Sequence, residues 1–165
     1  MLKAKIILTG NFGVGKSSLF QRFLFSRFDE KYLTTIGVKV DKKVVKLETD
    51  EVELFLWDVA GEVSQDKVPL SYLLGAHGII YVFDVTRPLT YINLENDINY
   101  LKGKAKKAVI KVVGNKSDLL SSADLAEVLN NLPYPSDITT SAKTGANVDE
   151  LFKNLAQTIL DKLKR

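Results

Sequence analysis

The stretch Gly10-Asn11-Phe12-Gly13-Val14-Gly15-Lys16-Ser17-Ser18 leaves this chain the least freedom. It follows the apolar run Ile6-Ile7-Leu8 and precedes Leu19, Phe20, Phe23 and Leu24 at helical spacing, so the pattern predicts a strand, a tight loop and a helix. Glycines at 10, 13 and 15 permit backbone angles that a side chain forbids, and successive N–H groups can then turn inward on a polyphosphate at the helix N-terminus. Lys16 adds a point charge for the β- and γ-phosphates, and Ser17 offers a hydroxyl to Mg²⁺. A glycine-rich turn with a surface lysine is the bland reading. The strand before and the helix after weigh against it.

A chain of 165 residues is the size of one domain, 1–165, with enough core to fold unaided. Its net charge of +3 is too small and too scattered to point to nucleic acid or an anionic membrane. Lys104, Lys106 and Lys107 form a dense basic cluster that reads as a solvated turn. The absence of cysteine excludes disulfides, thiolate metal sites and prenylation or palmitoylation of this chain. No apolar run approaches about 20 residues, and Met1-Leu2-Lys3 opens neither a signal region nor a myristoylation site. The expectation is a cytoplasmic chain without a lipid anchor of its own and without a nucleic-acid partner.

Extended and helical patterns alternate along the chain, which is α/β organisation. Residues 28–35 read as a polar loop over a ligand, with Tyr32 and the pair Thr34-Thr35 in it. Residues 37–47 and 52–58 pair as a hairpin about the turn 48–51. In the second of these strands Val52, Leu54 and Leu56 oppose Phe55 and Trp57, so both faces are largely apolar and a central place in the sheet is expected. It ends in Asp58, followed by Ala60-Gly61, at the edge where open α/β sheets bind ligands. Residues 78–84 and 109–114 read as buried parallel strands, separated by a helix through Leu94, Ile98 and Leu101. The second delivers Asn115-Lys116-Ser117-Asp118 to the same edge. A helix broken before Pro133 and Pro135, a short strand around Ile138-Thr139-Thr140 and a last helix capped by Asn147 with Glu150 three on complete the order.

Asp118 sets the choice of base in this reading. A carboxylate only accepts hydrogen bonds, and guanine offers two adjacent N–H donors where adenine turns a lone pair toward the same place. A site built on such a bond rejects the wrong base by roughly 10⁴-fold. Asn115 has an amide for guanine N7 or for tying loops together, the Lys116 stem can lie along the ring, and the Ala142 N–H can meet the carbonyl oxygen.

With these residues in place, the chain resembles the small GTPases of the Ras superfamily over essentially its whole length. Thr35-Ile36-Gly37-Val38, Trp57-Asp58-Val59-Ala60-Gly61-Glu62, Gly75-Ala76-His77-Gly78-Ile79-Ile80 and Thr140-Ser141-Ala142-Lys143-Thr144-Gly145-Ala146-Asn147-Val148 are most similar to the Rab branch. The resemblance implies a P-loop G domain, with a six-stranded, mostly parallel sheet and about five helices on both faces. It also implies a GTP/GDP site with Mg²⁺. Asn11 through Ser18, Phe28, Thr35, Gly61, Asn115, Lys116, Asp118, Ser141, Ala142 and Lys143 would line it, with Phe28 stacked on guanine. Ser17 and Thr35 would hold the metal, and Asp58 a metal-bound water. Lys16, Thr35, Gly61 and Glu62 would serve slow hydrolysis, with the Thr35 and Gly61 N–H groups on the γ-phosphate. Effectors, exchange factors and activators would dock on residues 32–45 and 60–75.

Two residues depart from the family pattern. Glu62 stands where a glutamine usually orients the attacking water. It lacks the donor and brings negative charge toward the γ-phosphate, so impaired hydrolysis is expected unless a register shift lets Gln65 substitute. Phe12 fills a position usually held by a small residue, where its ring would either crowd an activator's arginine or fold onto the neighbouring loops. Trp57 and Tyr72 are read as an aromatic partner surface or as sheet packing, and His77 as a loop or strand-edge residue. A GTP-dependent switch is the leading reading, and a nucleotide-locked scaffold is the alternative.

Overall fold

The structure, a computed structural model, describes residues 1–29, 35–62 and 64–165. Glu30, Tyr32, Thr34 and Val63, which fall in the expected loop and docking surfaces, lie outside these.

The sheet grows outward from β1 (Leu2–Gly10), which lies between β3 (Glu51–Val59) and β4 (Gly78–Asp84), parallel to both. β2 (Val38–Lys46) pairs antiparallel with β3, and β5 (Val109–Asn115) and β6 (Ile138–Thr139) extend the parallel side. The strand order β2-β3-β1-β4-β5-β6 makes a six-stranded sheet with one antiparallel pair among the described residues. The connections leaving β1 and β3 go to opposite sides of β1, which opens a crevice at its C-terminal end. The register brings Leu8 beside Asp58, Gly10 beside Val82 and Asp84 beside Asn115. The expected ligand-bearing residues therefore reach one edge together.

Side-chain alternation along β1 builds two cores. Ile6 and Leu8 join Leu54, Leu56, Ile80 and Val82 under α1 (Lys16–Phe25) and α5 (Val148–Leu163). Ile7 joins Ile79, Tyr81 and Phe83 under α3 (Leu94–Lys104) on the other face. α5 fits because Leu151, Phe152, Leu155, Ile159 and Leu160 recur at helical spacing, and Phe152 stacks on Phe23 of α1 at 3.8 Å. β4 is buried along its whole length, as its unbroken apolar run requires.

Two short helices, α2 (Leu70–Leu73) and α4 (Ser122–Asn130), complete the layers, and α4 stops before Pro133 as expected. β3 has partners on both edges, yet only its Val52, Leu54 and Leu56 face is fully buried, while Phe55 and Trp57 are half-covered. Trp57 meets Tyr72 at 5.9 Å, tilted by 57°, beneath the Lys5 ammonium. His77 is a tie between strand and loop: its Nδ1 accepts the Lys5 N–H at 3.0 Å and its own N–H donates to Lys5 O. Asn147 does stand before α5, but at φ +61° and without a capping bond. Its amide donates instead to Thr139 O at 2.9 Å, so the capping box expected with Glu150 is absent. No helix among the described residues is long and apolar enough to cross a membrane.

Candidate nucleotide and magnesium site

The loop after β1 turns into α1 through Gly15 at φ +99°, a backbone angle that favours glycine. A Cβ there would also sit 2.2 Å from Asn115 Nδ2. Asn115 runs beneath the loop and holds it: its Nδ2 donates to Val14 O at 3.0 Å, while Oδ1 accepts from Thr140 Oγ1 at 3.0 Å and from Ala142 N at 3.3 Å. Of the two roles open to Asn115 in the sequence, the structure supports tying the loops together. Lys116 Nζ donates to Gly13 O at 2.8 Å and pairs with Asp84 at 2.9 Å, which draws its stem across the site. The Ala142 N–H expected on a guanine carbonyl is engaged by Asn115 here.

Asp118 is exposed, and one carboxylate oxygen accepts from Ser141 Oγ at 2.8 Å. The other has no protein partner among the described residues and is left to accept from a ligand. Arg22 of α1 fixes the facing loop, donating from Nε to Ala142 O at 2.7 Å and from Nη2 to Lys143 O at 2.5 Å. Phe28 is half-buried at the margin of the first core. Val14 is fully buried, Ser18 lies in the first turn of α1, and Lys143 is exposed.

Lys16 is almost fully buried, and its Nζ donates to Asn11 O at 2.8 Å and Gly10 O at 3.4 Å. Burial pulls its ammonium down to about 8, against the attraction of the Asp58 and Glu62 carboxylates. An anion in the loop would restore the favour for charge.

Ser17, Thr35 and Asp58 converge on one point. Ser17 Oγ and Thr35 Oγ1 are 2.5 Å apart, and they lie 2.6 Å and 3.0 Å from the shared acceptor Asp58 Oδ2. Asp58 Oδ1 is buried without a partner, and burial raises the carboxyl's pKa in spite of the two hydroxyls and Lys16. Two hydroxyls and an incompletely satisfied carboxylate suit a hard cation. Among the described residues no cluster of three His, Cys, Asp or Glu completes a cage. Mg²⁺ is a cation of this kind, taking one or two protein oxygens and drawing others from substrate phosphates and water.

Gly61 presses on the phosphate loop. A Cβ on it would lie 2.8 Å from Phe12 Cα and 2.9 Å from Asn11 O, so only glycine fits. The Glu62 N–H donates to Gly10 O at 3.1 Å, and the Ala60 N–H to Gly37 O at 2.9 Å, linking the loops after β3 and before β2. The Gly61 N–H has no partner among the described residues. Gln65 is buried in a 3₁₀ turn (Gln65–Lys67); its Oε1 accepts the Thr9 hydroxyl at 2.6 Å, and its Nε2 has no partner among the described residues. The Phe12 ring is not folded away, being 53% exposed.

Arg22, Asp84 and Arg87 have no role in the sequence analysis: each acts through a partner distant in the chain, and no local pattern marks it.

A family model described as Ras family matches residues 5–161. The chain is 39% identical over 168 aligned residues to the Ras-related protein Rab-1 of Theileria annulata, covering 96% of this chain and 75% of that protein. It is also 39% identical to the Ras-related protein SEC4 of Saccharomyces cerevisiae, over 96% of this chain and 76% of the other. The Ras-related protein Rab-1A of Dictyostelium discoideum is 35% identical, with 96% and 81% covered.

Proposed function

Because the chain belongs to the Ras family, on the Rab branch of the small GTPases, and is as such a GTP-binding switch, we propose that it binds GTP and GDP with Mg²⁺ and hydrolyses GTP slowly. Ser17 and Thr35 would hold the metal directly and Asp58 through water. The ion, when bound, supplies charge neutralisation on the β- and γ-phosphates. Lys16 and the loop amides grip the phosphates, and Asp118 selects guanine.

The observation that carries this reading is the joint placement of Ser17, Thr35 and Asp58, with Ala60 bonded to Gly37 beside them. Thr35 and Gly61 lie on separate loops that a γ-phosphate would hold together and its loss would release. Partners meet this change at a surface where Ile36 is 95% exposed and Leu74 73%, to which the half-covered Trp57 and Tyr72 belong. Glu62 offers no donor to the attacking water, which lowers the intrinsic rate. A nucleotide-locked scaffold is the second reading, favoured by the tight seat of Gly61 on Asn11 and Phe12.

Amide hydrogen exchange separates the two. A switch shows residues 35–37 and 60–62 more protected with a non-hydrolysable GTP analogue than with GDP, both with Mg²⁺. Equal protection in the two forms would support the scaffold.

A further inference from the structure

Arg87 stands at a turn whose backbone leaves it little freedom. Its N–H donates to Asp84 O at 3.0 Å, and its carbonyl accepts from the Thr90 N–H at 2.9 Å and the Thr90 hydroxyl at 2.7 Å. Pro88 follows, and Thr90 is itself buried. From this root the side chain crosses to the phosphate loop, where Nη1 donates to Phe12 O at 2.9 Å. Phe12 is also the residue against which Gly61 is packed, and Glu62 follows at once. Arginine thus meets the phosphate loop at the residue contacted by the loop that carries Glu62. A guanidinium has five N–H donors and cannot lose its charge. One donor is used here, and no carboxylate pairs with Arg87 among the described residues.

We propose that Arg87 is an arginine supplied by the chain itself for GTP hydrolysis, an inference that rests on the nucleotide reading above. In that step the oxygen of water bonds to the γ-phosphorus as the bond to the β–γ bridging oxygen breaks. The electron pair leaves on the β-phosphate of GDP, and the water's proton passes to the released phosphate. Arg87 stabilises the negative charge gathering on the bridging and γ-oxygens, a service that positioned arginines give to phosphoryl transfer. It also accounts for Phe12: a ring at the loop's entrance costs little when the arginine does not have to arrive from another protein.

The test compares the parent with Arg87→Ala and Arg87→Lys, loaded with GDP and Mg²⁺ for the first two readings below and with GTP and Mg²⁺ for the third. Three quantities are read: GDP dissociation, capture of aluminium fluoride as a mimic of the transferring phosphoryl group, and single-turnover GTP hydrolysis. Arg87→Ala is expected to lose the fluoride complex and to hydrolyse GTP roughly 10- to 100-fold more slowly, with GDP dissociation changed by less than about 3-fold. Lysine should not rescue, because it lacks the planar fork. The proposal is overturned if GDP dissociation rises by the factor that hydrolysis falls, which would make Arg87 a tether for Phe12. It is equally overturned if Arg87→Ala or Arg87→Lys matches the parent. A parent that holds no GDP would overturn the nucleotide reading and this proposal with it, a result distinct from failure of Arg87 alone.

Discussion

The proposed hydrolysis turns on the side chain at position 62. An amide at 62 could both donate to and accept from a water, whereas a carboxylate only accepts and adds charge beside the phosphates. Gln65 has the right amide, but its Oε1 is bonded to Thr9 in the buried layer behind the loop. Glu62→Gln should therefore raise single-turnover GTP hydrolysis by about 10-fold or more, the scale of one transition-state donor. An unchanged rate would mean that the residue at 62 does not orient the water. Lys16, Ser17, Asp58 and Asp118 were legible at this scale because their types and spacing carry their chemistry. Arg87 was not, since an arginine after a strand has no partner until the fold brings Phe12 to it.

Elements bring these residues together. β1, β3 and β5 end at one edge of the sheet and deliver the phosphate loop, Asp58 and Asn115 there. Their apolar runs announced them in the sequence, as the spacing of α5 announced that helix. The start of α5 was read less well. Asn147 and Glu150 match a capping box by spacing, but a bond from Asn147 to Thr139 O wins because β6 passes close by. The loop before α5 is held by Arg22, 120 residues away in sequence from Ala142. Arg22→Ala removes both carbonyl bonds from that loop and should speed GDP dissociation about 5- to 50-fold, the effect of one or two hydrogen bonds. Stopped-flow release of a fluorescent GDP measures it, and an unaltered rate would show that the loop stands without α1.

For the whole molecule, the two cores decide how firmly the edge is held. Phe152 is fully buried and stacks on Phe23, joining α5 to the C-terminal half of α1. Phe152→Ala should cost about 3–5 kcal/mol in denaturant unfolding, and a loss below about 1 kcal/mol would mean that this core closes over the gap. The α/β organisation followed from alternation of elements, and the six-stranded sheet from family resemblance. The grip between the loops did not, because Ala60 and Gly37 meet through backbone groups that carry no signature in side chains. The most direct measurement is calorimetry of nucleotide-stripped protein with GDP and ADP, each with and without Mg²⁺. Tight binding of GDP that weakens without the ion, with ADP weaker by 10³-fold or more, is expected; equal affinity for the two bases, or indifference to Mg²⁺, would contradict it.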